Sequence, residues 1–337
     1  MPANLSPEYK AADAAFRKAR DPGERLECLR EMLRTIPKHK GTEKLQADIK
    51  ARIKSLADEF EGGARKGGGH GGPALVIRPE GAAQIALLGP PNSGKSSLHA
   101  RLTGSEAHVA SYAFTTQYPQ PGMMAFEDIH LQLVDLPAIS REHPVPWLAA
   151  ALQMADAALL VMDLGDADCI DELRQAESIL HERGVTLVER WDGADAPSDD
   201  DPFAMRIPAM LLANKCDLLA AADEEIDAFR ELSGEPYPVM KVSAATGEGL
   251  DALGRWLFEH LGIVRVYTKA PGHAFEKTKP FTLRRGQTVS DVARLVHKDI
   301  ERSFRYARIW GGHSEFEGQQ VGPNHALSDG DIVELHN

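Results

Sequence analysis

The run GPPNSGKS, residues 89–96, has the spacing G-x-x-x-x-G-K-S and joins the apolar stretch AQIALL to a helical pattern starting near Lys95. Gly89 and Gly94 carry no Cβ, so successive backbone N–H groups can close on a bound anion. Lys95 adds a compact positive charge within reach of terminal phosphates, and the Ser96 hydroxyl is suited to a bound Mg²⁺. Pro90, Pro91, Asn92, Ser93 and Ser97 complete the set expected to line the anion. Such a loop between strand and helix implies a nucleoside triphosphate. It leaves open which base is bound and whether the phosphate bond is cut.

A second stretch addresses the base. NKCD, residues 214–217, closes an apolar run. The two carboxylate oxygens of Asp217 match the adjacent N1–H and exocyclic amine of guanine, a donor pair that adenine lacks. Asn214 and Lys215 are expected to tie this loop to the phosphate loop and cover the base. Ser243 and Ala244, in VSAATGEGL, place a backbone N–H where it can meet the guanine oxygen. The order of these stretches selects guanine and disfavours an ATP-using protein. Between them, Asp135 ends the run HLQLVD, suited to hold Mg²⁺ through water. SYAFTTQYPQPGM offers Thr115 and Thr116 to fold over the γ-phosphate, and Thr116 is the preferred direct Mg²⁺ ligand.

These residues need a scaffold, and the pattern around them supplies one. AQIALLG, HLQLVDL, AALLVMDL, AMLLANKCD and YPVMKVSA are near-continuous apolar runs, as expected of strands covered on both faces. Helical patterns separate most of them, which implies an α/β fold with a mainly parallel sheet over residues 73–262. Residues 190–203 read as an acidic surface loop. Residues 1–60 read as three helices: Ser6-Pro7 and DPGE mark two starts, and Leu45, Ile49, Ile53 and Leu56 share one face of the third. The run EGGARKGGGHGG makes residues 61–72 a flexible boundary. Residues 263–337 form a small α+β unit with strands in VRVYTKAP, YARIWG and DIVELH and a helix in SDVARLVHKDIERSF, where Tyr306 and Trp310 are expected in the core.

Bulk properties narrow the class. The chain has 337 residues and a formal charge of -12. That charge is confined to the middle: residues 1–70 carry +4, residues 71–262 carry -18 and residues 263–337 carry +2. This is a poor match to a protein that wraps nucleic acid with its main body; any nucleic acid is expected at the ends, the alternative being that their charge is ordinary solvated surface. The most apolar stretch, WLAAALQMADAALLVM, is interrupted by Gln153 and Asp156 and is unsuited to a bilayer. The N-terminus lacks a basic-then-apolar leader, and Cys28, Cys169 and Cys216 have neither disulfide-framework nor zinc spacing. The expectation is a cytoplasmic protein, monomeric, with no membrane association.

GPPNSGKS, YAFTTQYPQPGM, LVDLPAI, NKCD and VSA, in that order, resemble the Obg-related GTPases, and within them the developmentally regulated GTP-binding proteins. The C-terminal pattern RVYTKAPG…HKDI…YARIWG…DGDIVEL resembles a TGS domain, a small β-grasp module. The resemblance implies a P-loop GTPase domain that hydrolyses GTP to GDP and phosphate with Mg²⁺, in association with a ribosome or structured RNA. It also implies that Asn92 matches the asparagine of potassium-dependent GTPases and helps hold K⁺, the alternative for Asn92 being plain turn chemistry. Ile139 stands where related GTPases carry a water-orienting glutamine, and Ala138 where the motif D-x-x-G has glycine. Slow turnover is expected, on the order of 10⁻³ per second or below. The alternative is a scaffold that binds GTP and scarcely turns it over.

Overall fold

The computed structural model describes residues 6–19, 22–37, 42–64, 75–105, 116–191, 205–273, 275, 279–297, 300, 303–311 and 316–336. The described elements fall into two units, the N-terminal helices on one side and two β-sheets with their helices on the other.

The first unit contains α1 (Pro7–Lys18), α2 (Pro22–Thr35) and α3 (Glu43–Ala64). Ser6 caps α1 by accepting from the Tyr9 N–H, and its hydroxyl donates to the Thr35 carbonyl at the end of α2. Tyr9, Leu29, Met32 and Ile49 form the buried seam. The start of the run EGGARKGGGHGG is helical: α3 continues through Gly62 and Gly63 to Ala64. Adding one residue to an existing helix is far easier than nucleating one, so a helix this long carries two glycines at roughly 1 kcal/mol each.

In the second unit, β1 (Gln84–Leu88), β3 (Ile129–Asp135), β4 (Ala157–Asp163), β5 (Val185–Val188), β6 (Met205–Asn214) and β7 (Val239–Lys241) run parallel where they pair. β2 (Gln120–Phe126) joins β3 antiparallel at the edge, giving the order β2-β3-β1-β4-β6-β5 with β7 also on β6. β2 and β5 are not among the apolar runs read as strands above. Pro121 and Gly122 make QPGMMAF read as a turn, and pairing with β3 overrides that local preference. Ile85 and Leu87 face a core shared with Leu98 of α4 (Lys95–Thr103) and with Leu253 and Leu257 of α8 (Leu250–His260). The short α5 (Leu148–Leu152) and the longer α6 (Cys169–Glu182) and α7 (Ala222–Ser233) complete the α/β unit. Strands covered on both faces, with crossover helices, place the loops after β1, β3, β4, β6 and β7 along one edge of the sheet.

The second sheet has the order β11-β10-β12-β8-β9 and begins two residues after α8. It contains β8 (Ile263–Thr268), β9 (Phe281–Arg284), β10 (Tyr306–Trp310), β11 (Gln319–Val321) and β12 (Asp331–His336), with α9 (Val289–Val296) packed on one face. Tyr306 and Trp310 are not in its core. The two-residue alternation turns Ala307 and Ile309 inward, and both aromatics are half-buried on the other face. There Tyr306 stacks on His336 with centroids 4.6 Å apart, and the Lys269 ammonium lies 3.8 Å from the Trp310 centroid. Among the described residues no helix is long and apolar enough to cross a membrane.

Candidate functional site

The loop Gly89–Gly94 leaves β1 and turns into α4 without a side-chain cap, so the first N–H groups of the helix, including those of Ser96 and Ser97, have no intrahelical partner. Glycine is required at both ends for different reasons. At Gly89 (φ +145°) a Cβ would stand 2.3 Å from the Val161 carbonyl oxygen of β4. At Gly94 (φ +91°) it would stand 2.3 Å from the side-chain nitrogen of Asn214. Asn92, exposed between them, has φ +59°, a conformation asparagine tolerates better than most residues.

Lys95 is folded into the loop it serves. Its buried Nζ donates to the carbonyls of Pro90 at 2.7 Å and Gly89 at 3.1 Å, with the Ser93 hydroxyl at 3.5 Å. Burial pulls its pKa down to about 8, against the opposing charges of Asp135 and Glu172. The lysine is thus positively charged at neutral pH but weakly held so, and a triphosphate would supply the missing anion.

Three residues proposed for Mg²⁺ meet at one point. Ser96 Oγ donates to Asp135 Oδ2 at 2.6 Å, Thr116 Oγ1 donates to the same oxygen at 3.1 Å, and the two hydroxyls are 3.1 Å apart. Thr115 lies outside the described residues. Asp135 Oδ1 is buried and has no hydrogen-bond partner. A lone buried carboxylate oxygen beside two hydroxyls is a donor set that fits a hard, oxygen-seeking cation. Among the described residues no cluster of three or more His, Cys, Asp or Glu could hold a metal. Mg²⁺ does not need one, since it binds through one or two carboxylates together with phosphates and water.

Asn214, at the end of β6, joins the base-reading loop to the rest of the site. Its Nδ2 donates to the Ser93 carbonyl at 2.9 Å, and its Oδ1 accepts from the Ala244 N–H at 3.1 Å. The Ala244 N–H, expected near the base oxygen, is therefore directed at Asn214, and the Ser243 N–H at the Glu248 carbonyl. Lys215 (φ +63°) passes Gly94 with its Cε and ends in an ion pair with Asp163 at 2.7 Å. Asp163 was missed in the sequence; its one signal is the acid that closes VMD at the end of β4. Asp217 is exposed in a short 3-10 turn, Cys216–Leu218, with its carboxylate open to solvent.

The segment after Asp135 is packed rather than open. Leu136, Ala138 and Ile139 are buried, and the Ile139 N–H donates to the Gly89 carbonyl at 3.0 Å. Ala138 is not among the positive-φ residues, so alanine fits this arrangement without strain.

Comparison with known proteins identifies the family. Residues 84–190 match the family model described as a 50S ribosome-binding GTPase, and residues 264–337 match the TGS domain model. An uncharacterised GTP-binding protein of Methanocaldococcus jannaschii is 30% identical over 93% of this chain and 92% of its own length. Developmentally-regulated GTP-binding protein 1 of Xenopus laevis is 29% identical over 90% of this chain and 96% of its own. A crystal structure of a GTP binding protein from Pyrococcus horikoshii covers 75% of this chain and 99% of its own, at 18% identity and a TM-score of 0.49. The chain is a GTP-binding protein of the developmentally regulated GTP-binding protein family, with a P-loop GTPase domain and a C-terminal TGS domain.

Proposed function

We propose that this protein hydrolyses GTP to GDP and phosphate slowly, with Mg²⁺, and is stimulated by K⁺. The observation that carries the reading is the meeting of the Ser96 and Thr116 hydroxyls on Asp135 Oδ2, beside the buried, unpartnered Oδ1 of the same carboxylate, with Lys95 in the adjoining loop. Those three residues would hold Mg²⁺, which when bound supplies positive charge to the phosphates. Lys95 and the N–H groups of Gly94 to Ser97 orient the phosphates, and Asp217 selects guanine. Ile139 supports slow turnover, because a buried aliphatic side chain cannot hydrogen-bond an attacking water. Asn92, exposed at the rim of the loop, is the K⁺ ligand of this reading.

The ends of the chain are the proposed contacts to a ribosome or structured RNA, with the protein acting as a cytoplasmic monomer. Support comes from their net positive charge and from the half-buried aromatic face of the second sheet, where Tyr306, His336, Trp310 and Lys269 lie together. The contrast with the acidic middle of the chain favours the ends over the GTPase domain.

Single-turnover hydrolysis in KCl and in NaCl at matched ionic strength tests the chemistry. Selective acceleration by K⁺ that disappears in Asn92→Ala is the expected result. A second reading, a GTP-stabilised scaffold, draws on the Ile139 N–H bound to Gly89 and the buried Ala138. Tight GTP binding with no turnover in either salt, even with ribosomes added, would favour it.

A further inference from the structure

One hairpin ends in the proposed metal ligand Asp135, with Thr116 four residues before its first strand, and carries a polar clamp at its other end. Gln120 of β2 pairs with Asp135 of β3 beside the site, and Phe126 pairs with Ile129 at the far turn. A seven-residue ribbon of this kind spans ~20 Å. β2 is the outermost strand of its sheet, bonded to β3 alone. Main-chain bonds from residues 81–83 hold β3 as far as His130 and Leu131, which leaves the turn residues Glu127 and Asp128 to be fixed by other contacts.

Those contacts come from the TGS domain and the helix that leads into it. Arg265 of β8 inserts its guanidinium between the tip residues Glu127 and Asp128 and the TGS residue Asp329. Nη1 donates to the Glu127 carboxylate and, at 3.1 Å, to Asp128 Oδ1. Nη2 and Nε donate to the two Asp329 oxygens at 2.7 and 3.0 Å. The Tyr267 hydroxyl donates to Asp128. The guanidinium carbon lies 4.8 Å from the Phe258 centroid on α8, and Phe126 packs on the same ring at 5.5 Å. Gly254 admits Phe126, since a Cβ there would stand 2.7 Å from the Phe126 ring. The planar fork of arginine, with its fixed donors, suits three carboxylates arranged around one side chain, and the Arg265 side chain is only 17% exposed. Glu127 holds a left-handed conformation, φ +49°, to bring its carboxylate there.

We propose that Arg265 is a positioning residue for the nucleotide site: it fixes the tip of the β2–β3 hairpin and so sets where Thr116 and Asp135 stand. Displacement of the TGS sheet is carried along the hairpin to the metal end, and nucleotide state is carried back the same way, because coupling between two sites is reciprocal. The inference rests on the reading of Ser96, Thr116 and Asp135 as the Mg²⁺ end. Its direction follows from the placement of Thr116, which that reading assigns to the triphosphate state. Releasing the tip therefore weakens GTP binding more than GDP binding.

The test is Mg²⁺-titrated binding of fluorescent GTP and GDP analogues to the full-length wild type, Arg265→Met, Arg265→Lys and Asp128→Asn. The expected result is a fall of at least about fivefold in the GTP-to-GDP affinity ratio in both Arg265→Met and Asp128→Asn, with partial recovery in Arg265→Lys. A role limited to holding the domains together would lower the unfolding temperature and leave the ratio alone. An unchanged ratio in the two variants overturns the proposal. Should Arg265→Met fail to fold, Asp128→Asn, a single neutralisation in a turn, decides by the same ratio. Wild-type GTP binding that does not depend on Mg²⁺ would remove the reading of the metal end, and this inference with it.

Discussion

Replacing Asn214 by alanine removes one side chain and opens the site at two places. Asn214 and Ser93 are each 1% exposed, so the Ser93 carbonyl would not find water easily in exchange, whereas the Ala244 N–H is half-buried. The unsatisfied Ser93 carbonyl costs about 1–3 kcal/mol and the lost bond to the half-buried Ala244 N–H about 0.5–1.5, which puts the variant ~1.5–4.5 kcal/mol below wild type in stability of the GTPase domain. Asn214→Asp separates the two halves of that figure. It keeps an acceptor for Ala244 but turns a second acceptor toward the Ser93 carbonyl, so it loses one bond and adds repulsion. Denaturant unfolding followed through Trp191 and Trp256, in contact at 4.7 Å within the GTPase domain, measures the loss. Nucleotide titration measures how much of it GTP must offset, each 1.4 kcal/mol weakening Kd about tenfold. Unfolding of Asn214→Ala within about 0.5 kcal/mol of wild type, the range of an ordinary surface change, would mean that neither backbone group depends on this side chain.

Other expectations follow from the same geometry. Gly94→Ala meets the Asn214 side chain at 2.3 Å and should abolish GTP binding, whereas Gly104→Ala has open space and should lose only the ~1–2 kcal/mol of a left-handed alanine; comparative titrations decide. Lys95, with its pKa lowered to about 8 by burial, must be protonated to meet a triphosphate, and the bound anion raises its pKa. Affinity should therefore be nearly flat below that value and fall about tenfold between pH 7 and 9. Lys95→Arg should remove that slope while keeping any contribution from ionisation of the base, and an equal slope in both proteins would sink the assignment. Ser96→Ala should raise the Mg²⁺ concentration needed for GTP binding, read by metal titration at fixed nucleotide.

The chemistry was legible in the sequence because it is local. The phosphate loop works through residues within one turn of chain, and spacing alone identifies Gly89, Gly94, Lys95 and Ser96. The apolar runs likewise announced β1, β3 and β4 nearly to the residue. What escaped was set at long range. β2 exists because β3 offers it an edge, despite Pro121 and Gly122. Tyr306 and Trp310 face away from the TGS core because strand phase, which aromatic composition does not reveal, puts Ala307 and Ile309 inside. The α9 helix ends at Val296 with His297 extended as its cap, and of the residues read as its continuation Lys298 and Asp299 lie outside the described residues. The hydrogen bond from Ile139 to Gly89 joins residues fifty positions apart, and no local pattern announces it.

Slow, metal-assisted GTP hydrolysis is tested most sharply by the single-turnover rate of the purified protein, with and without Mg²⁺, in wild type and Asp135→Ala. The expected wild-type rate is on the order of 10⁻³ per second or below, dependent on Mg²⁺ and lost in the variant. A rate above about one per second would show that the buried Ile139 does not limit turnover. A rate indifferent to Mg²⁺ or to Asp135 would contradict the assignment of the metal end.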